Sequence, residues 1–296
     1  MAKIKNVIGR QVFDSRGNPT VEAEIFLNDG SSASAISPSG ASTGAIEAHE
    51  LRDKDKNKFL GKGVNTAVKN INSKISNKLI NLEFNQQEKI DKILIDLDGS
   101  ENKTNLGANA TLAVSLAYAK CTAIANKQSL YKSLGKSYSL PIPLMNIING
   151  GAHADNDLNI QEFMIRPDSA KNFTDAIEKC FLVIQNLKTL LRSKKMLTNV
   201  GDEGGFAPSI NSNEEALDFI VQAIEKSKLK PGNDVVICLD VAANELMNEK
   251  GEYSIQSSNF MPVDDVVSYY KKLTSRYPIK SIEDPFAEED WQSWKK

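Results

Sequence analysis

The chain has 296 residues, 41% hydrophobic and 25% charged, a balance that excludes intrinsic disorder and supplies enough chain for two hydrophobic cores. Its net charge of -2 comes from interspersed acids and bases, so neither a basic face for nucleic acid nor an acidic tail for a basic partner is indicated, although a small anionic substrate remains compatible with local fields. Cys121, Cys180 and Cys238 are odd in number and far apart, against a disulfide framework or zinc cluster and for a reducing compartment; there is no signal-peptide core and no run near the roughly 18 apolar residues of a membrane span, so a cytoplasmic location is expected.

Residues 3–36 read as an antiparallel meander. Val21, Ala23, Ile25 and Leu27 alternate with Glu22, Glu24, Phe26 and Asn28, and Asn28-Asp29-Gly30 supplies a turn. From Val64 the period becomes helical through Ala67, Val68, Ile71, Ile75 and Leu79, and the Ala-rich run from Asn109 to Lys127 predicts a second helix. Strands followed by helices make an α+β domain, here bounded as 1–137.

Ser139-Leu140-Pro141-Ile142-Pro143 punctuates the chain, and residues 138–296 then alternate strand and helix. Ser212 and Glu215 have capping-box spacing ahead of a helix carrying Leu217, Ile220, Val221 and Ile224, which Lys230-Pro231-Gly232 ends. Val235–Leu239 is a buried strand; a helix with Val263, Val266, Val267, Tyr270 and Leu273 leads to the strand Ile279–Ile282. This is the grammar of a doubly wound sheet or a (β/α)8 barrel.

Two of these strands end on acids, Asp240 and then Glu283 with Asp284. Parallel α/β proteins gather catalytic groups at such ends, and hard oxygen donors suit Mg2+ better than zinc, but acids there equally cap helices or form ion pairs. Gly201-Asp202-Glu203-Gly204-Gly205 leaves Glu203 room to exchange a proton, or is a plain turn. His153 sits in a glycine loop before Gln161-Glu162, either as a reactive group or as a solvated one. The small residues of Ser37–Gly44 suit a surface connection or a lid with hydroxyl ligands, and His49 beyond them is expected on a helix surface.

The order of these signals is more specific than any one of them. Val12–Glu22, Ser37–Gly44, Asp96–Gly99 with Asn109-Ala110, Met145–Gly151, Gly201–Pro208 and Ser281–Pro285 together closely resemble the enolase family, from residue 4 to the last strand. The resemblance implies an α+β domain followed by a TIM-like barrel domain, and a Mg2+-dependent lyase of glycolysis that interconverts 2-phosphoglycerate and phosphoenolpyruvate. It implies Asp240 and Glu283 as ligands of a first Mg2+, Ser42 as a lid residue completing a second, and His153 near the phosphate. It implies Gln161 and Glu162 lining the substrate site and Glu203, assisted by Glu162, as the acid for the departing hydroxyl. A homodimer is implied too.

A closed barrel takes about 250 residues, far more than positions 141–296 provide, so an incomplete barrel lacking further site residues, a truncated sequence and an inactive chain are expected. Other readings are a related dehydratase or racemase, and a noncatalytic protein at the cell surface that binds plasminogen or joins an RNA-processing assembly.

Overall fold

The computed structural model describes residues 3–40, 44, 46–83, 86–201, 203–256 and 259–296. It divides into two compact units, Met1–Ser139 and Leu140–Lys296.

In the first unit β1 (Ile4–Phe13), β2 (Pro19–Leu27) and β3 (Ser32–Ser37) form an antiparallel sheet with β2 in the centre. The alternation of β2 becomes two faces: Val21, Ala23, Ile25 and Leu27 are buried, while Glu22 and Glu24 meet Arg10 of β1 at 3.0 and 2.6 Å. Helix α4 (Ala108–Ala125) packs on β2 and β3 through Ala110, Ala113, Val114, Ala117 and Cys121. These small side chains at helical spacing let backbone approach sheet.

The helical period beginning at Val64 is realised in three pieces: α1 (Asn65–Asn70), a π-helical turn over Ile71–Ile75, and α2 (Ser76–Leu79). Ile71, Ile75 and Leu79 are completely buried, worth about 2 kcal/mol each against exposure. The π turn rotates Asn72 out of that stripe, so that its carboxamide accepts from Gly9 N–H at 2.7 Å and donates to Gly9 C=O at 3.0 Å. Residue 9 has no side chain because a Cβ there would lie 2.8 Å from Cβ of Ile71. Helices α3 (Gln87–Asp98) and α5 (Leu130–Leu134) complete the unit. His49, expected on a helix, instead lies in a non-helical stretch. Its N–H donates to Asn102 C=O and its C=O accepts from Ala108 N–H; backbone pairing across the chain replaces the helical ladder.

The second unit is built on the sheet β4 (Met145–Asn149), β5 (Glu162–Arg166), β6 (Val236–Asp240) and β7 (Ile279–Glu283), in that spatial order. The strand-helix grammar holds for β6, α8 (Val263–Arg276) and β7, whose strands run parallel. It does not hold at the start, where β4 and β5 form an antiparallel pair and β5 is antiparallel to β6. Among the described residues the sheet is a four-stranded stretch of wall, so the barrel is open, as the length predicts.

One face of this sheet is covered: Phe163, Ile165, Ile237 and Leu239 share a core with α6 (Phe173–Ser193), α7 (Asn213–Lys226) and α8. On the alternate positions Met164, Val236 and Cys238 form a separate patch. Asn172 caps α6 by accepting from Asp175 N–H, and Ser212 caps α7 by accepting from Glu215 N–H at 3.2 Å. The return bond of the capping box goes one residue further back, from Asn211 N–H to Glu215 Oε2. All three cysteines are free and buried, and among the described residues no helix is long and apolar enough to cross a membrane.

Candidate active site

Register creates the site. Asn149 opposes Glu162, Glu162 opposes Asp240, and Asp240 opposes Glu283, so one polar residue from each strand falls in a single row across one end of the sheet. Directly opposed residues present their side chains to the same face. Alternation puts this row on the side of Met164 and Cys238, away from the helices.

The two loops leaving β6 and β7 are tight. Ala242 and Asp284 have positive φ values of 49° and 44°, a conformation that costs non-glycine residues energy and that clusters at functional sites. The loops are tied together by Val241 N–H to Glu283 C=O at 3.0 Å and Ala243 N–H to Asp284 C=O at 3.1 Å. Asp240 Oδ1 accepts from Ala242 N–H at 3.0 Å, and its Oδ2 accepts from Gln161 Nε2 at 3.4 Å.

His153 comes from the connection between β4 and β5. Gly150 N–H donates to Gln161 C=O and Gly151 N–H to Leu158 C=O, at 2.9 and 2.7 Å. At Gly150 a Cβ would meet Ile160 O at 2.5 Å, so only glycine allows the loop to fold back this closely. The fold-back buries His153 and leaves its Nδ1 3.4 Å from Glu162 Oε1, without a hydrogen bond.

Glu203 arrives on a hairpin laid beside β4. Phe206 N–H donates to Ile147 C=O and Asn149 N–H to Phe206 C=O, both at 2.9 Å, and Gly201 N–H closes the neck on Gly205 C=O at 2.8 Å. Gly201 and Gly205 rest on the Asn149 carboxamide, where any Cβ would collide. The hairpin brings ligand atoms of Glu203, Glu162 and His153 within 4.8 Å of one another.

These acids repel one another. Burial, and then the charges of Asp240, Glu203 and Glu283, push Glu162 up to about 7. Asp240 is raised by burial against the help of Ala242 N–H, and Glu283 by burial and then by Asp240. Among the described residues neither Asp240 nor Glu283 pairs with a lysine or arginine. His153 Nδ1, Gln161 Oε1 and Asn149 Nδ2 are buried without hydrogen-bond partners. Uncompensated carboxylates beside orphaned polar atoms make a site complementary to a hard cation and a polar ligand.

Two family models match the chain: the enolase N-terminal domain over residues 4–134, and the enolase C-terminal TIM barrel domain over residues 137–296. The chain belongs to the enolase family. It is 59% identical to a protein named Enolase from Pelagibacter ubique (strain HTCC1062), in a match covering the whole of this chain and 71% of that relative. Membership implies a divalent metal, and the donor set just described fits one.

Of the residues singled out in the sequence, His153, Gln161, Glu162, Glu203, Asp240 and Glu283 come together in this enolase chain. Ser42 lies outside the described residues. Sequence reasoning misses Asn149, although it carries the same signal as Asp240: a polar residue ending an apolar strand, here followed by two glycines.

Proposed function

We propose that the complete enzyme to which this chain corresponds is a phosphopyruvate hydratase, a carbon-oxygen lyase interconverting 2-phosphoglycerate and phosphoenolpyruvate plus water, with two Mg2+ ions per active site, and that the chain with its open barrel is inactive alone. The observation that carries the assignment of roles is the register row Glu162, Asp240, Glu283 with Glu203 and His153 beside it. Asp240 and Glu283, which pair with no lysine or arginine among the described residues, would hold a divalent ion. When bound, that ion would supply positive charge that stabilises the anion left as a general base takes the proton from the carbon next to a carboxylate.

The remaining groups handle the hydroxyl that departs from the adjacent carbon. A hydroxide leaves readily only as water, so a proton must reach its oxygen as the carbon-oxygen bond breaks. Glu203 stands on the narrow glycine neck as the donor. Glu162, whose carboxylate lies within 4.8 Å of that of Glu203, is placed to support that transfer. Gln161 and His153 offer orphaned buried atoms toward substrate. His153 is the group for the phosphate, and Gln161 also orients Asp240 through the 3.4 Å contact. The enzyme would be a cytoplasmic homodimer, with domains at 1–137 and 138–296.

Glu203→Gln tests the assignment, since it removes a transferable proton and preserves shape. In the complete enzyme, turnover of 2-phosphoglycerate should fall by about 10²–10⁴-fold with metal affinity nearly unchanged. Near-normal turnover would remove Glu203 from the mechanism.

A further inference from the structure

Asp284 combines two unfavourable circumstances. It has a φ of +44° without being glycine, and it precedes Pro285, whose ring pushes the preceding residue toward extended backbone. A turn of this kind persists only where its surroundings hold it. It follows directly on Glu283, so whatever holds it also sets where the Glu283 carboxylate stands.

Two buried tyrosines from separate elements supply the hold. Tyr270 of α8 donates its hydroxyl to Pro285 C=O at 3.0 Å. Tyr253, which bridges to Met247 and Met261, accepts from Ala287 N–H at 3.1 Å and donates to Asp290 Oδ2 at 2.8 Å. Between them lies Phe286, edge-on to both rings, with centroids 5.5 Å from Tyr253 and 6.0 Å from Tyr270. Consecutive residues 285, 286 and 287 are therefore each fixed, on the far side of the turn from the two bonds that tie Glu283 and Asp284 to the loop leaving β6. Phenylalanine would fill the same volumes, and a buried hydroxyl is costly unless bonded. The hydroxyls thus mark these positions as backbone anchors as well as core.

We propose that Tyr270 and Tyr253 are positioning residues for the carboxylate pair Asp240 and Glu283, acting by holding the strained Asp284-Pro285 turn against relaxation. The proposal rests on the reading of that pair as divalent-metal ligands. Neither tyrosine is assigned contact with metal or substrate; their influence passes through the backbone.

The experiment is a Mn2+ titration of the purified protein, following free Mn2+ by electron paramagnetic resonance, with thermal unfolding measured alongside. Tyr270→Phe should weaken Mn2+ binding by about 3–10-fold, less than the roughly 10–100-fold that loss of a direct outer-shell partner costs, because its influence passes through the backbone. A second set separates positioning from mere packing. Asp284→Gly and Asp284→Ala both remove the charge, but only glycine adopts positive φ freely. Adding Tyr270→Phe should cost Mn2+ affinity in the Asp284→Ala background and little in the Asp284→Gly background. Unchanged Mn2+ affinity in Tyr270→Phe, or equal losses in both backgrounds, would overturn the proposal. Asp240→Asn in the same titration checks the underlying reading: if it binds Mn2+ normally, the metal assignment is at fault, whereas a weakened Asp240→Asn beside an unaffected Tyr270→Phe sinks the tyrosines alone. Should Tyr270→Phe not fold, Tyr253→Phe carries the same expectation through Ala287.

Discussion

Two acids, one in each unit, have been treated in opposite ways. Asp98 ends α3 at 3% exposure. Burial alone would raise its pKa, but the Ser100 hydroxyl and the N–H groups of Ser100 and Leu106 donate to it, and it sits below the usual carboxylate range. Glu162 is half-buried, yet its neighbours include other acids, and burial and then their charges push it up to about 7. A carboxylate surrounded by donors is a fastener; one surrounded by carboxylates is held for a ligand.

The contrast is broken most severely by Asp240→Asn. If the row exists for a cation, divalent-ion affinity should fall by more than about a hundred-fold, since loss of an outer-shell partner alone costs up to that much. Calorimetric titration with Mg2+ would measure it, and unchanged affinity would reduce the row to a structural feature. Asp98→Ala should do the reverse, costing about 2–4 kcal/mol of stability by stranding buried donors, with divalent-ion affinity intact. Chemical denaturation would show this, and a neutral result would mean that water replaces the carboxylate.

The smallest effect concerns pH, and its sign differs between the two acids. Asp98, with a lowered pKa, adds stability that is present above the ordinary aspartate value and lost as pH falls through its folded value. Glu162, with a raised pKa, binds its proton more tightly when folded, so stability should decline as pH rises from about 4.5 to about 7 and then level off. In metal-free protein, Glu162→Gln should flatten that decline and gain about 1–2 kcal/mol above pH 7, allowing for solvent screening. A melting-temperature series across this window would reveal an unchanged slope if the row does not repel itself.

Much of this was legible in the sequence because it is periodic or local. The alternation of Val21 to Leu27, the helical stripe from Val64 and the acids ending β6 and β7 all depend on neighbours in the chain. Direction was not: β4 and β5 are joined by the irregular residues 150–161, which carry no hairpin-turn signature, and their antiparallel pairing is set by bonds such as Gly150 to Gln161. Helix α3 begins at Gln87 with no side-chain cap to announce it. At the site, Asp240 and Glu283 could be named from their strand ends, but Asn149 matters through its register with Glu162 and the glycines stacked on it. Tyr253 and Tyr270 look like ordinary core aromatics until their hydroxyl partners, 34 and 15 residues away, are known.

The π turn has a consequence outside catalysis. Strand β1 lies at the margin of its sheet, where free N–H and C=O groups invite another chain to add a strand. By wrapping the Asn72 carboxamide onto both polar groups of Gly9, the helix occupies that margin with a side chain imitating a neighbouring strand, while residues 81 and 82 pair with Ile4 further along. At residue 9 the Asn72 carboxamide thus already occupies both of the backbone groups that an added strand would need.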